Sequence, residues 1–382
     1  MRDQRLDKLA EVLVSYAVQV KRGDVVIVRG PSVSEPLIAA CCREVLRAGG
    51  NPVLRMRVPQ VEEDLCKFGN NDQLSYFYPG NIQDMEIANG MISILAEENT
   101  KAMTRVEPAR QALISKARRP ALELFMKRSS LTGADKFRWV GTQYPCHACA
   151  QDAEMSLSDY ADFVFRAGLL HLREPGKAWQ KIGVAQKRLC DYLNKAKEIR
   201  FVAPGTDLRL GIAGRTWINC EGKNNFPDGE VFTGPIETAT EGEVRYTFPA
   251  VFQGHEVTDV FLRFRSGKVV EASASKGEAF LFEMLDQDAG SRTLGEIAIG
   301  TNYAIKSFTR NTLFDEKIGG TFHAALGAAY PESGGKNQSA LHWDMVCDLR
   351  KGGRIEVDGK EIARNGRFHN DTWPKPLGRS RR

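Results

Sequence analysis

What this chain of 382 residues lacks narrows it first. No segment approaches the ~18 consecutive apolar residues of a membrane span. The start, Met1-Arg2-Asp3-Gln4-Arg5, is charged and leads into an amphipathic pattern instead of an apolar leader. No membrane partner is expected, and the cytoplasm is the expected compartment. Charge of one sign is scarce: the formal net charge is +5, with basic excess at Lys116 to Lys127 and Lys375 to Arg382. A nucleic-acid surface would need a denser basic stripe on a recognisable module, and neither is present. The G-x-G-x-x-G fingerprint is missing too. The corresponding loop reads Arg29-Gly30-Pro31-Ser32, and Pro31 removes a backbone donor that a phosphate cradle would use. The eight cysteines follow no regular spacing, and reduced, buried thiols are expected. Cys146-His147-Ala148-Cys149 lacks the second ligand pair of a structural zinc and reads as two buried thiols. Internal repeats and low-complexity segments are also absent.

What is present fits a soluble globular chain, with 42% apolar and 26% charged residues. The length exceeds one typical core, so two domains are expected. Apolar residues at 6, 9, 13, 17 and 20 predict a helix over Leu6 to Val20. The run Val25 to Val28 predicts a strand buried on both faces. A helix over Glu35 to Ala48 and a strand over Asn51 to Val58 complete a βαβ unit. Strands at Met91 to Leu95 and Phe137 to Val140 follow, with a basic helical stretch between them whose phase breaks at Pro120. Ser156 caps a helix to about Ala167, and another helix covers Trp179 to Lys197. Residues 1–197 are therefore expected to form an α/β domain with a largely parallel sheet.

Beyond that point the pattern alternates. Thr258 to Arg265 and Lys268 to Ser273 flank Ser266-Gly267, and Arg354 to Val357 and Lys360 to Ala363 flank Asp358-Gly359. Both are hairpin signatures. Residues 198–368 are expected to be a mixed, strand-rich α+β domain carrying a metal site. Residues 369–382, with prolines and arginines, are expected to be a mobile basic tail.

The chemistry gathers between Glu230 and Asp344. His342 and Asp344 are two apart, so a strand puts both on one face with Trp343 on the other. The run Phe322 to Tyr330 reads as helical, with His323 and Tyr330 on one side and Gly327 leaving space beside them. Glu230 leads a strand just past the turn Pro227-Asp228-Gly229. Glu296 lies inside the apolar run Leu294 to Ile299, where a carboxylate needs a metal or a cation such as Arg292 as counter-ion. Glu316, beside Asp315 and Lys317, fits a surface salt bridge as readily. Carboxylate and imidazole donors without thiolates suit zinc, cobalt, manganese or magnesium. The reading is a hydrolase with two divalent metal ions.

The ordered set Asn225 to Thr233, Leu294-Gly295-Glu296, Phe314-Asp315-Glu316, His323 to Tyr330 and His342-Trp343-Asp344 resembles the aminopeptidase T and aminopeptidase S family of metallopeptidases. So do Tyr16-Ala17, Gly23-Asp24, Thr142-Gln143-Tyr144-Pro145 and Met155 to Phe163, so the likeness spans nearly the whole chain. Phe226 stands where methionine is usual, and the segments Glu296 to His323 and His323 to His342 are short for the family. The resemblance implies a dinuclear site of Glu230, Glu296, His323, His342 and Asp344, an active-site Tyr330, and Glu316 as a further acid near the metals. It implies peptide substrates, a homodimer, and a metal-activated hydroxide cutting the N-terminal peptide bond of substrates with a free α-amino group. Tyr330 would steady the oxyanion, and Glu316 or Glu296 would carry the proton. The alternative is a ring-cleaving dioxygenase resembling 2,5-dihydroxypyridine dioxygenases, with one iron on His323, His342 and Asp344.

Overall fold

The computed structural model describes residues 3–376. Helix α1 (Gln4–Val12) runs into a π turn at Leu13–Ala17 and is followed by β1 (Val25–Pro31), α2 (Glu35–Arg47) and β2 (Asn51–Arg57). Helices α3 (Pro59–Phe68), α4 (Asn71–Ser75) and α5 (Gly80–Ile87) precede β3 (Gly90–Leu95). Then come α6 (Pro108–Ser129), β4 (Arg138–Gln143), α7 (His147–Asp152), α8 (Leu157–Ala167) and α9 (Pro175–Leu193). Next are β5 (Glu198–Ala203), β6 (Thr206–Gly211), β7 (Ile218–Cys220), β8 (Asn225–Phe226), β9 (Glu230–Thr233) and β10 (Thr240–Arg245). A ribbon of β11 (Ala250–Phe252) and β12 (His255–Val257), a hairpin of β13 (Phe261–Arg265) and β14 (Lys268–Ser273), and α10 (Glu278–Leu285) lead to β15 (Leu294–Gly300). The chain continues with α11 (Thr312–Asp315), β16 (Thr321–Gly327), β17 (His342–Asp348), β18 (Arg354–Val357), β19 (Lys360–Arg364) and β20 (Arg367–Phe368).

Contacts divide the chain into two compact units. One holds the residues up to Gly176 together with Gly222–Pro227; the other holds Lys177–Glu221 and the residues from Asp228 onward. The sequence suggests a division at 197, whereas α9 gives Leu189, Cys190 and Leu193 to the core of the second unit. In the first unit five strands pair in parallel in the order β2-β1-β3-β4-β8. Val26, Val28, Ile92 and Ile94 are buried on one face and Ile27 and Met91 on the other, where Arg29 and Leu95 nearer the carboxyl ends are exposed, so the expected cover on both faces is only partial. Ser156 caps α8 by accepting the Asp159 N–H. Helix α6 runs through Pro120 without the expected break.

The second unit contains two antiparallel sheets and the β11–β12 ribbon. One sheet has the order β14-β13-β10-β6-β5-β18-β19-β20, the other β17-β16-β15-β9-β7. Their facing side chains form one core, where the Phe201 and Phe322 rings stack at 4.3 Å. Both hairpins have the expected turns.

The helix read into Phe322 to Tyr330 is a strand. Thr321–Gly327 pairs with β15 on one side and β17 on the other. All seven residues are buried, so the run has no polar alternation to reveal its period of two. Gly327 ends the strand in the left-handed region at φ 98°. A Cβ there would lie 2.1 Å from the Leu341 carbonyl oxygen, so its small size answers to backbone geometry and not to room beside His323. The expected tail also differs. Trp373 is buried in the second unit's core, against Tyr192 at 4.9 Å and Phe368 at 5.7 Å between ring centroids. Residues 377–382 of that tail lie outside the described residues.

Candidate metal centre

Strand register brings the candidate ligands together. Trp343, Met345 and Cys347 of β17, Phe322, Ala324 and Leu326 of β16, and Ile297 and Ile299 of β15 belong to the core. Alternation turns their neighbours to the opposite face. His323 pairs with Ala298 and Val346, Ala325 pairs with Glu296 and Asp344, Gly327 pairs with His342, and Glu230 pairs with Gly300. Glu230, Glu296, His323, His342 and Asp344 therefore share one face of one sheet. Ala298 and Ala325 keep that face shallow between them.

A bulge sharpens the arrangement. Gly295 is skipped in the β15–β16 register, so Leu294 pairs with Leu326 and Glu296 with Ala325. Leu294 thereby stays in the core, and Glu296 faces the cluster. A Cβ on Gly295 would come within 2.1 Å of the Ala328 oxygen and 2.3 Å of the Gly327 oxygen.

His323 Nε2 lies 3.3 Å from Glu296 Oε1, 3.6 Å from Glu230 Oε2 and 3.9 Å from Asp344 Oδ1. His342 Nε2 lies 3.4 Å from Asp344 Oδ2 and 3.7 Å from Glu296 Oε2. Each ring has its Nδ1 against a backbone carbonyl, Glu316 at 3.2 Å for His323 and Ala328 at 2.9 Å for His342. Placing the proton on Nδ1 satisfies those carbonyls and leaves Nε2 as the donor atom, a recurrent device of metal-binding histidines. Gln186 on α9 steadies the edge of the sheet by donating to the Glu230 and Cys220 carbonyls at 2.6 and 3.0 Å.

Arg292 is not the counter-ion of Glu296: it pairs with Asp286 at 2.6 Å. Nor is Glu316 on the surface. Lys317, 1% exposed, bonds Glu316 Oε2 at 2.5 Å and Glu230 Oε1 at 2.9 Å. The sequence reading used Lys317 only to explain Glu316 away; its one signal was a charged triplet, Asp315-Glu316-Lys317, running straight into Ile318. Cys220 and Asp228 were also missed, and both have a ligand atom near Glu230. Tyr330 follows the strand in a loop. Its ring packs at 5.4 Å from that of His342 and 5.3 Å from that of Phe232, so it joins the site by a different route from the helix anticipated.

The electrostatics are those of crowded buried acids. Burial, then Glu316, raises Asp344 to about 8. Burial raises Glu230 to about 7 against the pull of Lys317 and His323. Burial alone would lower His323, but its bond to Glu296 and the charge of Glu230 outweigh this and raise it to about 10. Burial also pushes the Tyr330 phenol and the Cys220 thiol up, so both keep their protons near neutrality.

A divalent ion fits this donor set. Glu230 Oε2 and Asp344 Oδ1 are buried without a hydrogen-bond partner, a state that is unfavourable unless something positive meets them. Ligand atoms of Glu230, Glu316 and His323 lie within 4.8 Å of one another, as do those of Glu296, His323 and Asp344. Cys146 and Cys149 lie in the other unit and join no such group among the described residues. Both are buried, with the Glu97 N–H 3.4 Å from Cys146 Sγ.

The sequence profile of the thermophilic metalloprotease (M29) family matches residues 2–368. Aminopeptidase 2 of Geobacillus stearothermophilus is 28% identical, with 97% of this chain and 98% of the relative covered. The structure of wild-type AmpT from Thermus thermophilus superposes with a TM-score of 0.82 at 25% identity, covering 96% of this chain and 99% of that one. A 2,5-dihydroxypyridine dioxygenase from Pseudomonas putida KT2440 shares the fold, with a TM-score of 0.62 at 13% identity and 96% and 98% of the two chains covered. No helix among the described residues is long and apolar enough to cross a membrane.

Proposed function

This chain belongs to the thermophilic metalloprotease (M29) family, and we propose that it is a two-metal aminopeptidase that releases the N-terminal residue of peptides with a free α-amino group. The chain is a hydrolase of the exopeptidase class. The reading rests on one observation above all: five carboxylate and imidazole side chains share a sheet face, with two buried carboxylate oxygens lacking partners. Glu230, Glu296, His323, His342 and Asp344 would hold the ions. Divalent ions held there would supply Lewis acidity and would lower the pKa of a bound water.

The chain's own groups do the rest. His323 and His342 present Nε2 because the Glu316 and Ala328 carbonyls hold Nδ1–H. Glu316 takes the proton from the attacking water and returns it to the leaving amine. Lys317 keeps its carboxyl low against burial, so it is ionised and ready to accept. Tyr330 keeps its phenolic proton and donates it as a hydrogen bond to the developing oxyanion. Its 41% exposure allows it to reach substrate.

The same reading includes a cytoplasmic homodimer. All eight cysteines are free, in keeping with a reducing compartment. Phe68, Val61, Tyr76 and Tyr78 expose large apolar surface in the first unit, in keeping with a second copy. The test is release of leucine from a leucyl peptide before and after chelation, with cobalt, zinc, manganese or magnesium restored. Activity should return with metal, fail on the N-acetylated peptide, and drop in E230Q and E296Q by about a hundredfold or more. Equal cleavage of the acetylated peptide would overturn the free-amine requirement.

A further inference from the structure

The first unit holds a second concave site that peptide hydrolysis does not use. Its sheet order, β2-β1-β3-β4, means that the chain leaves β1 towards β2 on one side and returns to β3 on the other. The carboxyl ends of strands at such a reversal frame the crevice where α/β sheets take ligands. A cavity of about 670 Å³ lies over one face of these strands and reaches their carboxyl ends, lined by residues of β1, β2, β3, α5 and α6. That volume lies within the ~300–1,000 Å³ of small-molecule sites.

Four of the lining residues are arginines: Arg29 on β1, Arg55 and Arg57 on β2, and Arg118 on α6. Arg55 is paired with Asp84 at 2.6 Å. Glu62 serves two of the others, Arg57 at 2.9 Å and Arg118 at 3.9 Å. Glu97 is a third acid within electrostatic reach of Arg57, and the guanidiniums still outnumber these carboxylates. Arg29 has no carboxylate partner among the described residues; its Nε donates to Ser93 Oγ at 3.0 Å. Enclosure by the cavity walls, then the charges of Arg57 and Arg118, press its guanidinium below its ordinary value, although Arg29 still keeps solvent-exposed surface. Three cations facing one cavity repel each other, and an oxyanion between them removes the repulsion. The planar guanidinium fork matches carboxylate and phosphate oxygens in pairs. Leu122 and Phe125 supply an apolar wall beside it.

We infer that this cavity binds a small organic oxyanion, a carboxylate or a phosphomonoester, with its head among Arg29, Arg57 and Arg118 and its apolar body against Leu122 and Phe125. The missing glycine fingerprint does not count against this site, because guanidiniums and not backbone N–H groups would carry the anion.

The test is titration calorimetry on the full, chelator-treated chain, which removes metal-bound anions from the signal. Phenyl phosphate, 3-phenylpropionate and the neutral 3-phenylpropanol are the probes. At least one anion should bind saturably, and at least about tenfold more tightly than the alcohol; the tighter anion identifies the head group. R29M and R118M should each weaken it by about tenfold or more, the scale of one charged hydrogen bond, with thermal midpoints near wild type to show intact folding. Equal binding of alcohol and anions, no saturable binding at millimolar concentration, or wild-type affinity in both folded variants overturns the assignment.

Discussion

Replacing Lys317 with methionine removes the one cation that bridges Glu230 and Glu316. At an effective dielectric of about 20, a pair at 2.9 Å attracts by about 6 kcal/mol. The gross sum over two partners is largely offset by stripping water from three charges. What the variant loses is therefore set by the carboxylates left buried without a counter-charge, about 3–5 kcal/mol. In a unit of this size that lowers the thermal midpoint by roughly 6–20 °C. The loss should depend on conditions in a definite direction. Glu230 already has a carboxyl raised to about 7 by burial, so as pH falls it takes up a proton and no longer needs the lysine. The deficit of K317M is largest near pH 8 and smaller near pH 6. Metal should shrink it too, because an ion on Glu230 replaces part of the missing charge; added zinc or cobalt raises the midpoint more in K317M than in wild type. Calorimetry of both proteins, with and without chelator at the two pH values, measures all three differences. A metal-free K317M that melts within about 1 °C of wild type at pH 8 refutes the reasoning.

Gly295→Ala puts a Cβ within 2.1 Å of the Ala328 oxygen, the acceptor of His342 Nδ1; it should destabilise by about 1–3 kcal/mol and lower metal affinity, and unchanged affinity by titration would sink the link to His342. Metal uptake should release protons near neutral pH, because His323 and Asp344 are raised to about 10 and about 8 in the metal-free protein and must give their protons up; titration heats identical in buffers of different ionisation enthalpy would contradict this. Asp288→Ala should shift acid unfolding to higher pH. The Ala340 and Gly290 N–H groups and the Ser339 hydroxyl hold the Asp288 carboxyl at about 2; the stability this adds is complete above the ordinary carboxylate range and disappears as pH falls from about 4 towards 2. An unchanged acid midpoint in the variant contradicts the clamp.

The parts of the fold legible in the sequence were those where polarity alternates or turn chemistry is explicit. Ser266-Gly267 and Asp358-Gly359 each sit between alternating runs, and each is a hairpin turn in the structure. The parallel strands were legible as short apolar runs. Strand β16 was not, because a strand buried on both faces and rich in alanine carries no period at all. Trp373 lay in a basic, proline-bearing stretch whose composition spoke for solvent, while one aromatic side chain was enough to hold it to the core. Lys317 was illegible for a different reason. A lysine beside a glutamate is usually a surface pair, and only the fold reveals that both are enclosed with Glu230.

The fold alone does not choose the chemistry, since a 2,5-dihydroxypyridine dioxygenase shares it. The side chains on the shared face bear on the choice. A single-ion triad of His323, His342 and Asp344 draws on β16 and β17 only. It leaves Glu230 and Glu296, from β9 and β15, buried at 5% exposure each, with Glu230 Oε2 making no hydrogen bond. Unused buried carboxylates are expensive. Lys317 neutralises one oxygen of Glu230 and one of Glu316 and reaches no other acid of the site as an ion pair. Two histidines carry at most two more positive charges. Against four ionised acids those cations fall one charge short even with both rings protonated, and a protonated imidazole cannot bind a metal. Once the histidines serve as ligands, the cluster holds three uncompensated negative charges, more than one divalent ion offsets and fewer than two supply. A second divalent ion would leave a net positive site, which would suit a water that ionises readily and the developing oxyanion of an acyl transfer.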